Sequence, residues 1–161
     1  MKGILAVFIF VVPFFCQADT ALVYHKEYYN NHVLKAEGWL QDGVKTKYWK
    51  FYRPDGKLKS EGHYKLGNKS DYWFFYRSNG KKLKEGSYSE NLMVEWWSFY
   101  SKEGEITEKC QFAKGVKNGF RVVYVNEKPK MVEKFKDDVK TDEWTSYTGF
   151  IMENGDLLLD E

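Results

Sequence analysis

The sequence predicts an all-β fold: an elongated, twisted antiparallel meander of stacked β-hairpins with about a dozen strands. Two observations carry that expectation. Residues 48–64, YWKFYRPDGKLKSEGHY, return as YWFFYRSNGKKLKEGSY at residues 72–88, 24 positions later. Aromatic residues make up 19 % of the chain, and rings favour pleated, half-buried surfaces.

The recurrence extends well beyond the duplicated stretch. Trp49, Trp73, Trp97, Arg121 and Trp144 stand 24, 24, 24 and 23 residues apart. Three residues past each anchor come Tyr52, Tyr76, Tyr100, Tyr124 and Tyr147. Gly38, Gly62, Gly86 and Cys110 form a further column, and Leu40, Tyr64, Tyr88, Phe112 and Phe135 another. HKEYYNNHVLKAEG, from His25, aligns with WKFYRPDGKLKSEG from Trp49. The pattern therefore runs from His25 to Tyr147, and its first and last units are degenerate, as capping units are.

Taken in order, the chain opens on Lys2 and an apolar run from Ile4 to Cys16, followed by Gln17-Ala18. This reads as a removable export leader over residues 1–18, with 19–161 forming one domain. The run is shorter than the roughly 20 residues of a membrane span. Each unit then reads as a hairpin. Tyr48–Arg53 is an aromatic strand, Pro54-Asp55-Gly56 a turn with Gly in the left-handed conformation, and Lys57–Tyr64 the returning strand. Ser78-Asn79-Gly80 and Lys102-Glu103-Gly104 fill the same slot, and loops around Gly43, Gly67 and Gly115 lead onward. The fourth unit departs, with Val125-Asn126-Glu127-Lys128 at the turn and Phe120-Arg121 where an aromatic–Trp pair stands elsewhere. No segment shows helical periodicity. Extra residues between Tyr147 and Asn154-Gly155 predict a longer or bulged last connection, and Asp156–Glu161 a final edge strand guarded by charge.

Counting back from a three-residue turn places Tyr48 and Tyr52 on one face with Leu58, Gly62 and Tyr64. In that register Tyr48 covers Gly62. Trp49 and Phe51 then share the opposite face with Lys59, Glu61 and His63, and a one-residue slip exchanges the two sets. Equivalent rings recur at roughly 10 Å, two strand spacings. The candidate binding surface is accordingly the row Trp49, Phe51, Trp73, Phe75, Trp97, Phe99 and Trp144, set against the alternative that these rings fill the packing layer.

The pattern YWKFYRPDGKLKSEGHYKLGNK resembles the MORN-variant repeat of bacterial exported proteins with 24-residue units, which are often labelled antitoxin-like. The resemblance covers His25 to Tyr147 on several aligned columns. It implies a structural module engaged in protein or lipid binding and supplies no catalytic residue.

Composition and motifs narrow the function classes. Lys+Arg total 25 against 23 Asp+Glu, so the concentrated positive charge on which nucleic-acid binding depends is absent. His25, His32 and His63 do not sit with other donors at metal-ligand spacing, and no phosphate-binding glycine loop, nucleophile elbow or Cys-x-x-Cys occurs. With the leader removed, Cys110 is the one remaining thiol. It stands in the glycine column, which predicts a small buried residue and no internal disulfide. Asp137-Asp138 reads as solvated turn charge. The sequence thus points to an exported, non-catalytic interaction module in the periplasm, at the cell surface or secreted. It is expected to need no cofactor or metal and to engage a protein or cell-envelope partner, with membrane contact left open. Glycan or cell-wall binding through the Trp/Phe row and toxin neutralisation are the alternatives.

Overall fold

The computed structural model describes residues 21–155. The expected leader and the expected edge strand Asp156–Glu161 lie outside the described residues. Eleven strands form one sheet in chain order, each antiparallel to its neighbours. They are β1 (Leu22–Tyr28), β2 (Leu34–Gln41), β3 (Val44–Tyr52), β4 (Leu58–Lys65), β5 (Asn68–Tyr76), β6 (Lys82–Ser89), β7 (Leu92–Tyr100), β8 (Ile106–Ala113), β9 (Val116–Val125), β10 (Lys128–Lys136) and β11 (Val139–Trp144). One helix, α1 (Tyr147–Asn154), follows. The fold is the expected all-β meander.

Two kinds of turn alternate along the sheet edges. In the first, Gly56 N–H donates to the Arg53 carbonyl at 2.9 Å and Arg53 N–H to the Lys57 carbonyl at 2.8 Å. Gly56 closes this loop at φ +79°, which costs a glycine little. The second kind has two residues, both at positive φ, as at Asp42-Gly43, Leu66-Gly67 and Glu90-Asn91. Its twist matches that of the strands it joins. Asp137-Asp138 is such a turn, and so is Asn126-Glu127, which explains the missing turn glycine of the fourth unit. Turns also bond to the next unit. The Arg53 and Arg77 guanidinium groups donate to the Tyr76 and Tyr100 carbonyls, each at 2.7 Å, and Gly67 N–H donates to the Lys45 carbonyl at 2.9 Å.

The register differs from the expected one by a single residue. Tyr52 pairs with Leu58, but Phe51 pairs with Ser60, leaving Lys59 unopposed. Leu83 and Thr107 are skipped in the same way. This bulge moves Trp49, not Tyr48, opposite Gly62 and places it on a face with Phe51, Ser60 and Tyr64. A bulge of another kind lies on the far side of each tryptophan strand. Trp73 pairs with Gly62 and Ser70 with His63, so Asp71 and Tyr72 have no partner on β4. Asp71 takes φ +58°, with Lys47 and Glu95 alike at +56° and +59°.

The indole rings complete these bulges. Trp73 Nε1–H donates to the His63 and Ser70 carbonyls at 3.0 and 3.2 Å, the groups on either side of the gap. Trp49 does the same toward Trp39 and Thr46 at 2.9 and 3.1 Å, and Trp97 bonds the Ser87 carbonyl at 3.0 Å. Each ring lies flat over the preceding strand's glycine. A Cβ added at Gly86 would stand 2.5 Å from Trp97 Cδ2, and Gly38 and Gly62 are as tightly covered by Trp49 and Trp73. The three indoles are 0 % exposed. Phe51 and Phe75 link them into a continuous ring chain with centroids 5.9–6.1 Å apart. Lys45, Lys69 and Lys84 place their Nζ atoms 4.6–4.9 Å above the indoles, so their stems shield the layer from water. Burial holds the Lys69 and Lys84 ammonium groups below the usual lysine range.

The tryptophan slot changes character at β9. Cys110, 1 % exposed, replaces glycine, and Arg121 opposite it replaces tryptophan. The Arg121 guanidinium bridges Glu108, with Nε 2.7 Å from its Oε2, and Glu133, with Nη1 at 2.5 Å. On the other face Phe150 of α1 is fully buried against Val122 and Val132. This helix corrects the expectation of a longer hairpin connection. Ser146 caps it, its Oγ accepting from Gly149 N–H at 3.1 Å, and Gly155 ends it. Eight residues with one buried side chain are too few to display a period in sequence.

Replacing Trp73 with Ala is expected to destabilise the fold by about 3–5 kcal/mol. Gly62→Ala should cost about 3 kcal/mol with Trp73 present and less than about 1 kcal/mol without it, because the clash then has no ring. Urea denaturation of the two single variants and the double variant measures this, and an undiminished Gly62→Ala cost in the Trp73→Ala background refutes the contact. Cys110 lies deep in this layer, where burial pushes its thiol up to about 11. A thiol-specific reagent should label it at least about a hundredfold faster in denaturant than in buffer, and equal rates contradict its burial.

Candidate functional site

The expected stacking row is not an exposed surface. Trp49, Trp73 and Trp97 have no accessible area, and Phe51, Phe75 and Phe99 lie half-buried beside them. Trp144 is separate, at the end of β11, with its ring 5.0 Å from Phe150 and its Nε1–H bonded to Glu153 Oε2 at 2.7 Å. The one-residue slip is the cause, since it turns the tryptophans to the side where glycine leaves room.

The same bulges build a second aromatic column on the opposite face. Tyr24, Tyr48, Tyr72, Trp96 and Phe120 each stand one residue before an anchor position. Tyr48, Tyr72 and Trp96 are themselves bulge residues, and a bulge re-aims the side chain it carries. Tyr24 and Tyr72 are 46 % and 43 % exposed. Each tyrosine is braced by a neighbouring ring: Trp39 on Tyr24 at 5.2 Å, His63 on Tyr48 at 4.9 Å and Phe74 on Tyr72 at 5.1 Å. The sequence held this signal in Tyr48-Trp49, Tyr72-Trp73 and Trp96-Trp97, but the register assigned the first member of each pair to packing.

A polar ladder runs beside the column. Pairing across the strands aligns Lys26, Glu37, Lys50, Glu61, Phe74, Glu85, Ser98 and Lys109. The Tyr52 and Tyr76 hydroxyls donate to Glu37 and Glu61 at 2.6 and 2.8 Å, and the Tyr100 hydroxyl to Glu85. Lys82 Nζ is 2.7 Å from Glu85. The Tyr52 hydrogen bond holds the Glu37 carboxyl below the usual carboxylate range. Burial, and then the neighbouring carboxylates, push the hydroxyls of Tyr52, Tyr76 and Tyr100 well above the usual tyrosine range. Burial, and then the Glu61 charge, push Tyr48 up to about 12.

From β9 onward the row becomes apolar, with Val122, Val132 and Trp144 in the positions that follow Lys109. Helix α1 covers that apolar part and stops there. At the boundary lies a groove of about 820 Å³, whose aromatic walls are Tyr72, Trp96, Phe112, Tyr124 and Tyr147 and whose polar lining includes Lys109, Glu95, Asn118, Ser87 and Ser98. Rings that offer faces, beside amide, hydroxyl and charged groups, suit recognition of a ligand with both apolar and polar surface. Among the described residues no cluster of His, Cys, Asp and Glu is placed to hold a metal ion, and no helix is long and apolar enough to cross a membrane.

No family model matches the chain, and a search of curated proteins returns no match.

Nine tyrosines have hydroxyls held above their usual range. The proton is bound more tightly in the folded state. These groups therefore contribute stability fully below the unfolded pKa of about 10, and lose it as pH rises through the folded values. Near pH 11 Tyr48, Tyr52, Tyr76 and Tyr100 should still hold their protons in the native protein, so that a share of the tyrosinate absorbance appears only together with unfolding. Ionisation of all tyrosines near pH 10 in a folded protein contradicts the ladder.

Proposed function

We propose that this chain is a non-catalytic interaction module that engages a protein or cell-envelope partner through the aromatic face, with the groove beside α1 as its centre. The observation that carries this reading is the groove itself. It is lined by five aromatic side chains where the aromatic column meets the helix. Tyr and Trp are the residue types that dominate binding energy at interfaces. The polar ladder gives the surface direction and specificity, while the tryptophan layer on the reverse holds it rigid. The resemblance to MORN-variant units supports a binding role, and the apolar run from Ile4 to Cys16 supports a role outside the cytoplasm.

Affinity capture from the envelope extract of the source cells tests this. Tyr72→Ala and Lys109→Glu are expected to lower capture by about tenfold or more. Both positions are exposed, so melting temperature should stay within a few degrees of wild type. Undiminished capture by both variants overturns the assignment of this face.

A further inference from the structure

We infer that the aromatic face takes an extended, uncharged β-1,4-linked polysaccharide, laid across the strands with every second sugar over one ring of the column. This deepens the interaction-surface reading and rests on it. The first argument is spacing. Tyr24, Tyr48, Tyr72 and Trp96 occupy successive odd-numbered strands, so their rings advance by two strand spacings, roughly 10 Å per step. An extended β-1,4 chain is a flat ribbon whose alternate sugars present the same face, and one disaccharide advances by about that distance. A row of rings at this interval therefore meets the same sugar face each time. An α-1,4 chain coils and does not.

The second argument is the chemistry between the rings. Carboxylates and ammonium groups alternate along the ladder from Lys26 to Glu61, where Glu37 lies between Lys26 and Lys50, and beyond Phe74 the Glu85 carboxylate holds Lys82 at 2.7 Å. The charge is balanced within the face, which leaves no field to attract a polyanion or polycation. It leaves hydrogen-bonding oxygen and nitrogen atoms at Lys26, Glu37, Lys50, Glu61, Ser98 and Lys109, which complement sugar hydroxyls. Aromatic faces contribute apolar contact with the C–H surface of a sugar ring while the ladder meets its rim.

The third argument is placement. Tyr24 and Tyr72 are exposed, Tyr48 and Trp96 are half-buried with Trp96 packed against the cluster under α1, and the column is closed at Phe120, where Phe150 packs on it at 5.3 Å. A chain entering at the groove thus passes over Trp96, Tyr72, Tyr48 and Tyr24 toward the β1 edge. Four rings at one per disaccharide span about seven sugars.

Calorimetric titration of the full protein with cello- and chito-oligosaccharides of about two to eight units tests the match, with malto-oligosaccharides of the same lengths as control. Affinity is expected to rise by roughly five- to tenfold with each added disaccharide. It should level off near seven units, with no binding of the α-linked series. Tyr72→Ala should weaken hexaose binding about tenfold, and Tyr24→Ala, at the exposed sheet edge, provides a second variant whose folding is checked by circular dichroism. Absence of binding to any β-1,4 oligosaccharide, equal binding of both linkages, or affinity indifferent to both tyrosines overturns the inference. Loss of envelope-protein capture in Tyr72→Ala without oligosaccharide binding removes the polysaccharide and leaves the interaction surface standing. Indifference of both capture and titration to Tyr72 removes both.

Discussion

The structure depends on one interaction made three times: an indole laid over a glycine of the preceding strand, with its N–H closing a bulge. The bulge opens the ladder between His63 and Ser70 and leaves two carbonyls short of a donor. Burying them unpaired would cost about 1–3 kcal/mol each. Trp73 donates to both and at the same time loses all contact with water, which contributes about 5 kcal/mol from area alone. None of this is available without the glycine, because any Cβ at Gly62 would occupy the ring. Tryptophan, glycine and bulge therefore form a single unit, and its 24-residue spacing is the spacing of the whole fold.

That unit also explains the end of the pattern. Where Cys110 takes the glycine position there is no floor for an indole, and Arg121 fills the slot with charge. Its guanidinium is held by Glu108 and Glu133, and those two carboxylates keep it protonated against the cost of burial. Glu133 in turn sits below the usual carboxylate range because Arg121 and Lys140 outweigh its own desolvation. Such an ion pair contributes less than an indole of the same volume. The compensating packing comes from the other side, where Phe150, Val122 and Val132 form a cluster of buried side chains. The ring layer thus changes faces between β8 and β10, and helix α1 exists to cover it.

Much of the fold was legible because it rests on residues at fixed intervals. The 24-residue columns, the left-handed turn glycines and the alternation of strands are all local signals, and each has its place in the sheet. The facing of the strands was not legible. It turns on one skipped residue per hairpin, and Lys59, Leu83 and Thr107 have no chemistry in common. A bulge of this kind is set by the geometry of the turn and the demand of the indole for glycine, not by the residue that is skipped. The pairing of Trp with Gly would have supplied the register, had the larger ring been chosen over Tyr48 to cover the bare backbone. The same slip decides which rings meet water: it buries the Trp49, Trp73 and Trp97 column and turns the column one residue earlier, with Tyr24 and Tyr72, to the open face.

The two faces answer to different requirements. A sheet that needed only stability would place apolar or β-branched residues on both, since half-buried carboxylates gain little from a tyrosine hydroxyl after desolvation. Instead Glu37, Glu61 and Glu85 lie under hydroxyls on one face, while Tyr24 and Tyr72 leave 46 % and 43 % of their surface in water. Those tyrosines bury far less area than the indoles behind them and contribute correspondingly less to folding. The ladder is also repeated with the same partners at three successive positions, although the tryptophan layer already holds those strands. Tyrosine–glutamate pairs and the rings beside them thus recur on this face at the same interval as the indoles on the other. The indole layer makes that period rigid, because each ring fixes its strand to the one before it.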